Sequence, residues 1–218
     1  MAKSHAVRAP LAHQFDTLEQ QHSTNVLGMW IFLLTEIMLF GGLFLMYTTN
    51  RYLYARVFEE GSRHLDLALG SVNTVVLIVS SLMMALAVHS VQSGAPRVRT
   101  ALFLALTAAL GAMFLVIKGF EYYGHYLAHE VPGITFAWTG ENARQMQIFF
   151  MLYSFMTGTH AVHLFIGISI VTLMLFNSLR GKYNELYYAP VEMTGLYWHL
   201  VDAIWIFLFP LLYLIARR

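Results

Sequence analysis

Five long stretches of apolar residues constrain this chain more than any other feature of its sequence. They cover residues 27–47, 67–91, 100–123, 146–176 and 193–216. A helix needs roughly 20 mostly apolar residues to cross the hydrocarbon core of a bilayer. Each stretch is long enough, so the sequence predicts an all-α, polytopic membrane protein with a bundle of five transmembrane helices.

The regions between these stretches are short and polar. A polar segment, residues 1–26, precedes the first span, and because it contains no apolar run we do not expect a cleaved signal peptide. A charged loop follows the first span. Only 11% of the residues are charged, against roughly 25% in soluble domains, so we expect one membrane domain over residues 1–218.

Composition also excludes several functions. The net charge of +1 comes without a basic patch, which argues against a nucleic-acid partner. The absence of cysteine excludes thiolate metal sites and disulfides. Ten histidines leave metal or haem binding open at this stage.

Ionisable residues inside the spans are the best clues to function, because burying them in a membrane is costly. Glu36 lies in the first span without a basic partner on its own helix. We expect it to hydrogen-bond His160 or His163 of the fourth span. Proton handling and lipid binding remain alternative roles for this carboxyl group.

Three pairs of polar residues lie three positions apart on one helix. Lys118 and Glu121 are expected to pair near the membrane interface. His160 and His163 have a spacing that could serve a metal ion, but two ligands are fewer than most sites use, which favours hydrogen bonds between helices.

His199 and Asp202 form the third pair, in which a carboxylate could orient the imidazole ring. A static pair and a proton relay are both compatible with this spacing. Four polar residues of the second span are expected to pack helices together through hydrogen bonds: Asn73, Thr74, Ser80 and Ser81.

Five sequence strings, in order along the chain, carry a family resemblance. They are GMWIFLLTEIMLFGGLF, LGSVNTVVLIVSS, FEYY, TGTHAVHLFIG and YWHLVDAIWIFLF. Together they resemble subunit III of the haem-copper respiratory oxidases, the cytochrome c oxidase subunit III family, over nearly the whole chain.

The resemblance implies an accessory, non-redox subunit of a proton-pumping terminal oxidase that reduces dioxygen to water in aerobic respiration. Such a subunit packs on subunit I, binds phospholipid, and supports proton uptake and the durability of the active site. The resemblance also implies no catalytic residue or cofactor in this chain, with haem and copper in the partner subunits I and II. Buried polar positions of the family match Glu36, Glu121, His160, His163, His199 and Asp202.

The chain resembles the short bacterial form of the family, which lacks two helices found in seven-span members. A further small subunit is one candidate to replace them. The resemblance implies a bacterial cytoplasmic (inner) membrane location, with the N-terminus cytoplasmic and the C-terminus outside. The Lys and Arg residues divide evenly between the two sides and do not decide the orientation.

Other functions stay open from the sequence alone. A quinol oxidase or a nitric oxide reductase could contain a similar subunit, and no residue identifies the electron donor. From another class, a self-contained membrane metalloenzyme or transporter could use the same buried carboxylates and histidines.

Overall fold

The structure is a computed structural model that describes residues 13–133, 136–138, 142–185 and 187–215. This part of the chain forms six helices: α1 Leu18–Leu53, α2 Ala55–Arg63, α3 Leu67–Gln92, α4 Arg97–Leu127, α5 Ala143–Leu179 and α6 Ala189–Tyr213. Five of them are long and apolar enough to cross a membrane. The predicted all-α fold with five transmembrane helices is confirmed.

The helices extend beyond the predicted apolar stretches at one or both ends. Helix α1 begins within the segment expected to be a polar tail, where the Thr17 hydroxyl accepts a hydrogen bond from the Gln20 amide at 3.1 Å. Its 36 residues give a length of about 54 Å, well beyond a hydrocarbon core of roughly 30 Å. Residues 1–12 and the predicted end of the last span at 216 lie outside the described residues.

Helix α2 corrects the prediction of a loop after the first span. It buries Val57 and Phe58, and the Phe58 ring packs edge-on against the rings of Tyr47 and Phe149 at 5.3 Å each. The Ser62 hydroxyl donates to the Leu212 carbonyl at 2.7 Å. A search for long apolar runs misses α2 because it is short and carries most of its charge on one side.

Helices α3 to α6 form the core of the bundle. Helix α3 packs along α4 and α6, and α5 packs along the same two helices. A tight turn at Gly94, with φ +65°, makes α3 and α4 adjacent. At the centre, the rings of Phe114 and Trp205 meet edge-on at 4.7 Å.

Among the described helices, α1 contacts α2 and the edge formed by α5 and α6. Only 17% of its most apolar stretch is buried, against 50% for α6. Its opposite face therefore carries large exposed apolar side chains, such as Met38 and Leu45.

Candidate functional site

Glu36 and His163 join α1 to α5. The carboxylate Oε2 of Glu36 lies 2.8 Å from Nε2 of His163, which confirms the predicted hydrogen bond. Because Nδ1 of His163 lies 2.8 Å from the carbonyl oxygen of Thr159, that nitrogen must carry a hydrogen. The Glu36–His163 bond then holds one proton, on either the carboxyl group or the imidazole ring. Both side chains are 15% exposed, at the edge of the bundle.

His160 lies deeper, one turn away on α5, and is fully buried. Its ring contacts those of Phe114 at 5.5 Å and Trp205 at 5.2 Å. Neither ring nitrogen has a hydrogen-bond partner among the described residues. The expectation of a hydrogen bond between helices is therefore confirmed for His163 and wrong for His160, because aromatic rings occupy the positions beside it.

Lys118 and Glu121 form a buried ion pair, with Nζ 3.0 Å from Oε2, as predicted from their spacing. Two tyrosines complete the cluster. The ammonium group also donates to the hydroxyl of Tyr153 at 3.1 Å and to that of Tyr213 at 2.7 Å. Both hydroxyls donate to Oε1 of Glu121. All three ammonium hydrogens have acceptors, which is the condition for burying a lysine in a bundle.

A second set of polar groups lies one turn further along α4. Nδ1 of His125 is 2.6 Å from Glu130, and the other oxygen of Glu130 is 2.8 Å from Nδ1 of His64. The His125 ring packs against the Tyr153 ring at 5.4 Å. These contacts tie the end of α4 to the segment after α2, next to the lysine cluster.

The predicted pair of His199 and Asp202 is wrong. Nδ1 of His199 instead lies 2.7 Å from the hydroxyl of Ser81 on α3. Neither carboxylate oxygen of Asp202 has a hydrogen-bond partner in the described part of the chain. The Ser81 hydroxyl is close enough to interact with this carboxyl group, but the contact lacks the geometry of a hydrogen bond. A partner on the neighbouring helix therefore replaced the one expected on the same helix.

The other polar residues of α3 pack helices as expected, with one exception. Ser80 donates to the Thr107 carbonyl of α4 at 3.2 Å, and the Thr74 hydroxyl accepts from the indole of Trp205 at 3.1 Å. Asn73 is fully buried, but its amide has no hydrogen-bond partner among the residues described.

Five members of these clusters were not predicted from the sequence: Tyr153, Tyr213, His125, His64 and Glu130. A signal for the first pair was available, because a tyrosine far inside an apolar stretch must place its hydroxyl on a polar partner. His125 lies four residues after Glu121 and so on the same face of α4. Glu130 lies beyond the helix, where spacing gives no prediction.

Within the described residues, no three side chains of the His, Asp and Glu types come close enough to hold a metal ion. Several of the buried polar groups instead hydrogen-bond between helices, as Glu36 does with His163 and Ser81 with His199. Fold and site together define a polytopic helical membrane protein in which several buried ionisable residues make contacts between helices.

Comparison with known proteins identifies the family. A model of cytochrome c oxidase subunit III matches residues 13–217. Cytochrome c oxidase subunit 3 of Thermostichus vulcanus is 32% identical over 93% of this chain and 92% of its own length. The subunit 3 proteins of the Bacillus subtilis cytochrome c oxidase and quinol oxidase are 32% and 30% identical, each over 95% of this chain and 93% of the relative.

The chain belongs to the cytochrome c oxidase subunit III family. It is an accessory subunit of a haem-copper oxidase, an oxidoreductase complex of aerobic respiration. The resemblance seen in the five sequence strings is thereby confirmed.

Proposed function

We propose that this chain supports a proton-pumping cytochrome c oxidase by packing on its subunit I and by holding phospholipid. Haem and copper reside in subunits I and II, and this chain carries no redox group. Reduced cytochrome c then supplies the electrons that convert dioxygen to water. The chain lies in the bacterial cytoplasmic membrane with its N-terminus in the cytoplasm.

The observation that carries this proposal is the position of the Glu36–His163 pair. A hydrogen-bonded acid and imidazole remain 15% exposed at a depth where hydrocarbon offers no polar contact. A covering layer of lipid or protein is needed to shield the pair. The exposed apolar face of α1 continues from it, which supports contact with lipid acyl chains or with another helix.

A quinol oxidase is the second candidate, because quinol oxidase subunit 3 of Bacillus subtilis matches this chain over almost the same length as the cytochrome c oxidase relatives. The two candidates share the accessory role and differ in the electron donor.

Purification through a tag on this chain tests the accessory role. We expect haem-bearing subunits to copurify and the complex to oxidise reduced cytochrome c. Oxidation of quinol alone would select the second candidate. A preparation without haem would refute the assignment to an oxidase complex.

Substitution of Glu36 by glutamine tests the supporting role. We expect the initial rate of oxygen reduction to stay within about twofold of the wild type, which is less than 1 kcal/mol in the barrier. Retained phospholipid and activity during prolonged turnover should fall. Glu19→Gln, an exposed glutamate of the same helix, is the matched control. An immediate loss of turnover in a fully assembled Glu36→Gln complex would contradict the supporting role.

A further inference from the structure

A groove between α3 and α6 contains the buried carboxyl group of Asp202, whose two oxygens both lack a hydrogen-bond partner among the residues described. The groove is a cavity of about 340 Å³ lined by Thr74, Ser81, His199 and Asp202, among others. Asp202 is only 3% exposed, and both its oxygens lack a partner. Burial without a partner costs roughly 1–3 kcal/mol for a polar group, and more if it is charged.

The mouth of the groove faces the membrane. Three of its lining residues are large, apolar and half exposed: Ile78 at 51%, Leu82 at 54% and Ile206 at 49%. Two others, Ala85 and Ala203, are small. Small residues allow a neighbouring helix to approach closely within a membrane, and polar groups then bond across the contact.

The position of Asp202 limits what can fill the groove. Asp202 lies near the middle of the 25-residue α6, and Ser81 lies near the middle of the 26-residue α3. Lipid headgroups lie at the membrane surface, and acyl chains carry no hydrogen-bonding group. The occupant must therefore bring a polar group to mid-membrane, as a side chain on a transmembrane helix does.

We propose that the α3–α6 groove receives a transmembrane helix of another oxidase subunit, whose hydroxyl or amide side chain hydrogen-bonds Asp202. The proposal rests on the proposed function and names the surface through which this chain joins its complex. Ser81 and His199 are already bonded to each other, which leaves the carboxyl group of Asp202 as the contact for the incoming side chain.

A matched pair of substitutions tests the fit of the groove in the assembled complex. Ala85→Leu fills the groove, whereas Ala112→Leu adds the same side chain to an exposed position of α4 outside it. We expect Ala85→Leu to lower the amount of haem that copurifies with the chain about tenfold, equivalent to about 1.4 kcal/mol. Ala112→Leu should retain the wild-type amount, and an equal loss in both variants would overturn the proposal.

Substitutions of Asp202 distinguish a contact with a partner subunit from a role in folding of the chain. Asp202→Leu removes a group that is unbonded in the chain itself, so the purified chain should unfold no more easily than the wild type. The same substitution should reduce copurified haem, and Asp202→Asn, which keeps hydrogen-bonding capacity, should restore most of it. A chain that becomes unstable, or a complex that is unaffected, would contradict the proposal.

A photoreactive benzoylphenylalanine at Ile206 identifies the occupant directly in native membranes. We expect a crosslink to a transmembrane segment of a haem-bearing subunit. A crosslink to lipid alone, or access of water to the groove without any protein crosslink, would overturn this inference. If wild-type chain still copurified with haem in that case, the proposed function would stand and only the docking surface would be wrong.

Discussion

Replacing Glu121 with leucine is expected to destabilise the chain more than almost any other single substitution. Glu121 accepts from Lys118 at 3.0 Å and from Tyr153 at 2.7 Å, and Tyr213 also donates to it. Its loss leaves the ammonium of Lys118, 3% exposed, without an anion. Breaking a buried ion pair from one side typically costs about 3–5 kcal/mol, and we expect a loss in that range.

The double variant Lys118→Met/Glu121→Leu should recover about 2 kcal/mol of this loss, because no unpaired charge remains. The difference between the variants measures the coupling of the pair. Glu59→Leu, at an exposed position of α2, is the control and should change stability by less than about 0.5 kcal/mol.

Unfolding of the purified chain by sodium dodecyl sulfate in mixed micelles provides the assay. Tryptophan fluorescence reports on this site, because the Trp205 ring lies 5.2 Å from the ammonium of Lys118. A Glu121→Leu chain within about 1 kcal/mol of the wild type would refute the reasoning, as this is below the range for a broken buried pair. So would a double variant as unstable as the single one.

Two further predictions use matched pairs. Gly111→Ala should destabilise the chain by about 1–3 kcal/mol, because an added Cβ would lie 2.7 Å from the Trp198 ring. Gly119→Ala, where nothing lies within 4 Å, should be neutral or stabilising. If Gly119→Ala were the less stable variant in detergent unfolding, the packing assigned to Gly111 would be wrong. Ser62→Ala should speed hydrogen exchange of α2 by about fivefold, equal to a hydrogen bond of about 1 kcal/mol. Ser169→Ala, exposed on α5, should leave this exchange unchanged.

The sequence was sufficient to predict the membrane helices because the bilayer imposes their length. Any stretch of about 20 apolar residues must cross as a helix, since hydrocarbon cannot satisfy a free backbone. Helix α2 is instead a short amphipathic helix that packs on the bundle. The charged residues around Phe58 break up its apolar pattern, so a search for apolar stretches does not find it. Helix α1 extends past its apolar stretch at both ends, and Thr17 caps its start. Helix α6 begins four residues before its apolar stretch, with a proline in its first turn.

The polar contacts were predicted where only one choice of partner existed. Glu36 has no basic residue within reach on its own helix, so the cost of leaving it unpaired predicted a bond to a histidine of α5. The pairing of Lys118 with Glu121 followed from their helical spacing. His199 had two possible partners, Asp202 on its own helix and Ser81 on α3. Spacing favoured the first, and the packing of α3 against α6 selected the second. Such a choice depends on the distance between helices, which the sequence does not contain.

The same reasoning explains why Glu36 has a hydrogen-bond partner within this chain and Asp202 has none, although both are carboxyl groups in apolar helices. Glu36 is shared with His163 across α1 and α5, so its contact is complete within this chain. Asp202 lost its expected partner to Ser81 and gained none. A lipid-facing groove with an unbonded carboxyl group is costly for an isolated chain, and that cost is removed when a second helix supplies the hydrogen bond. The stability of this accessory subunit then depends in part on its complex. Asp202→Leu measures this dependence, because it should lower haem retention without destabilising the isolated chain.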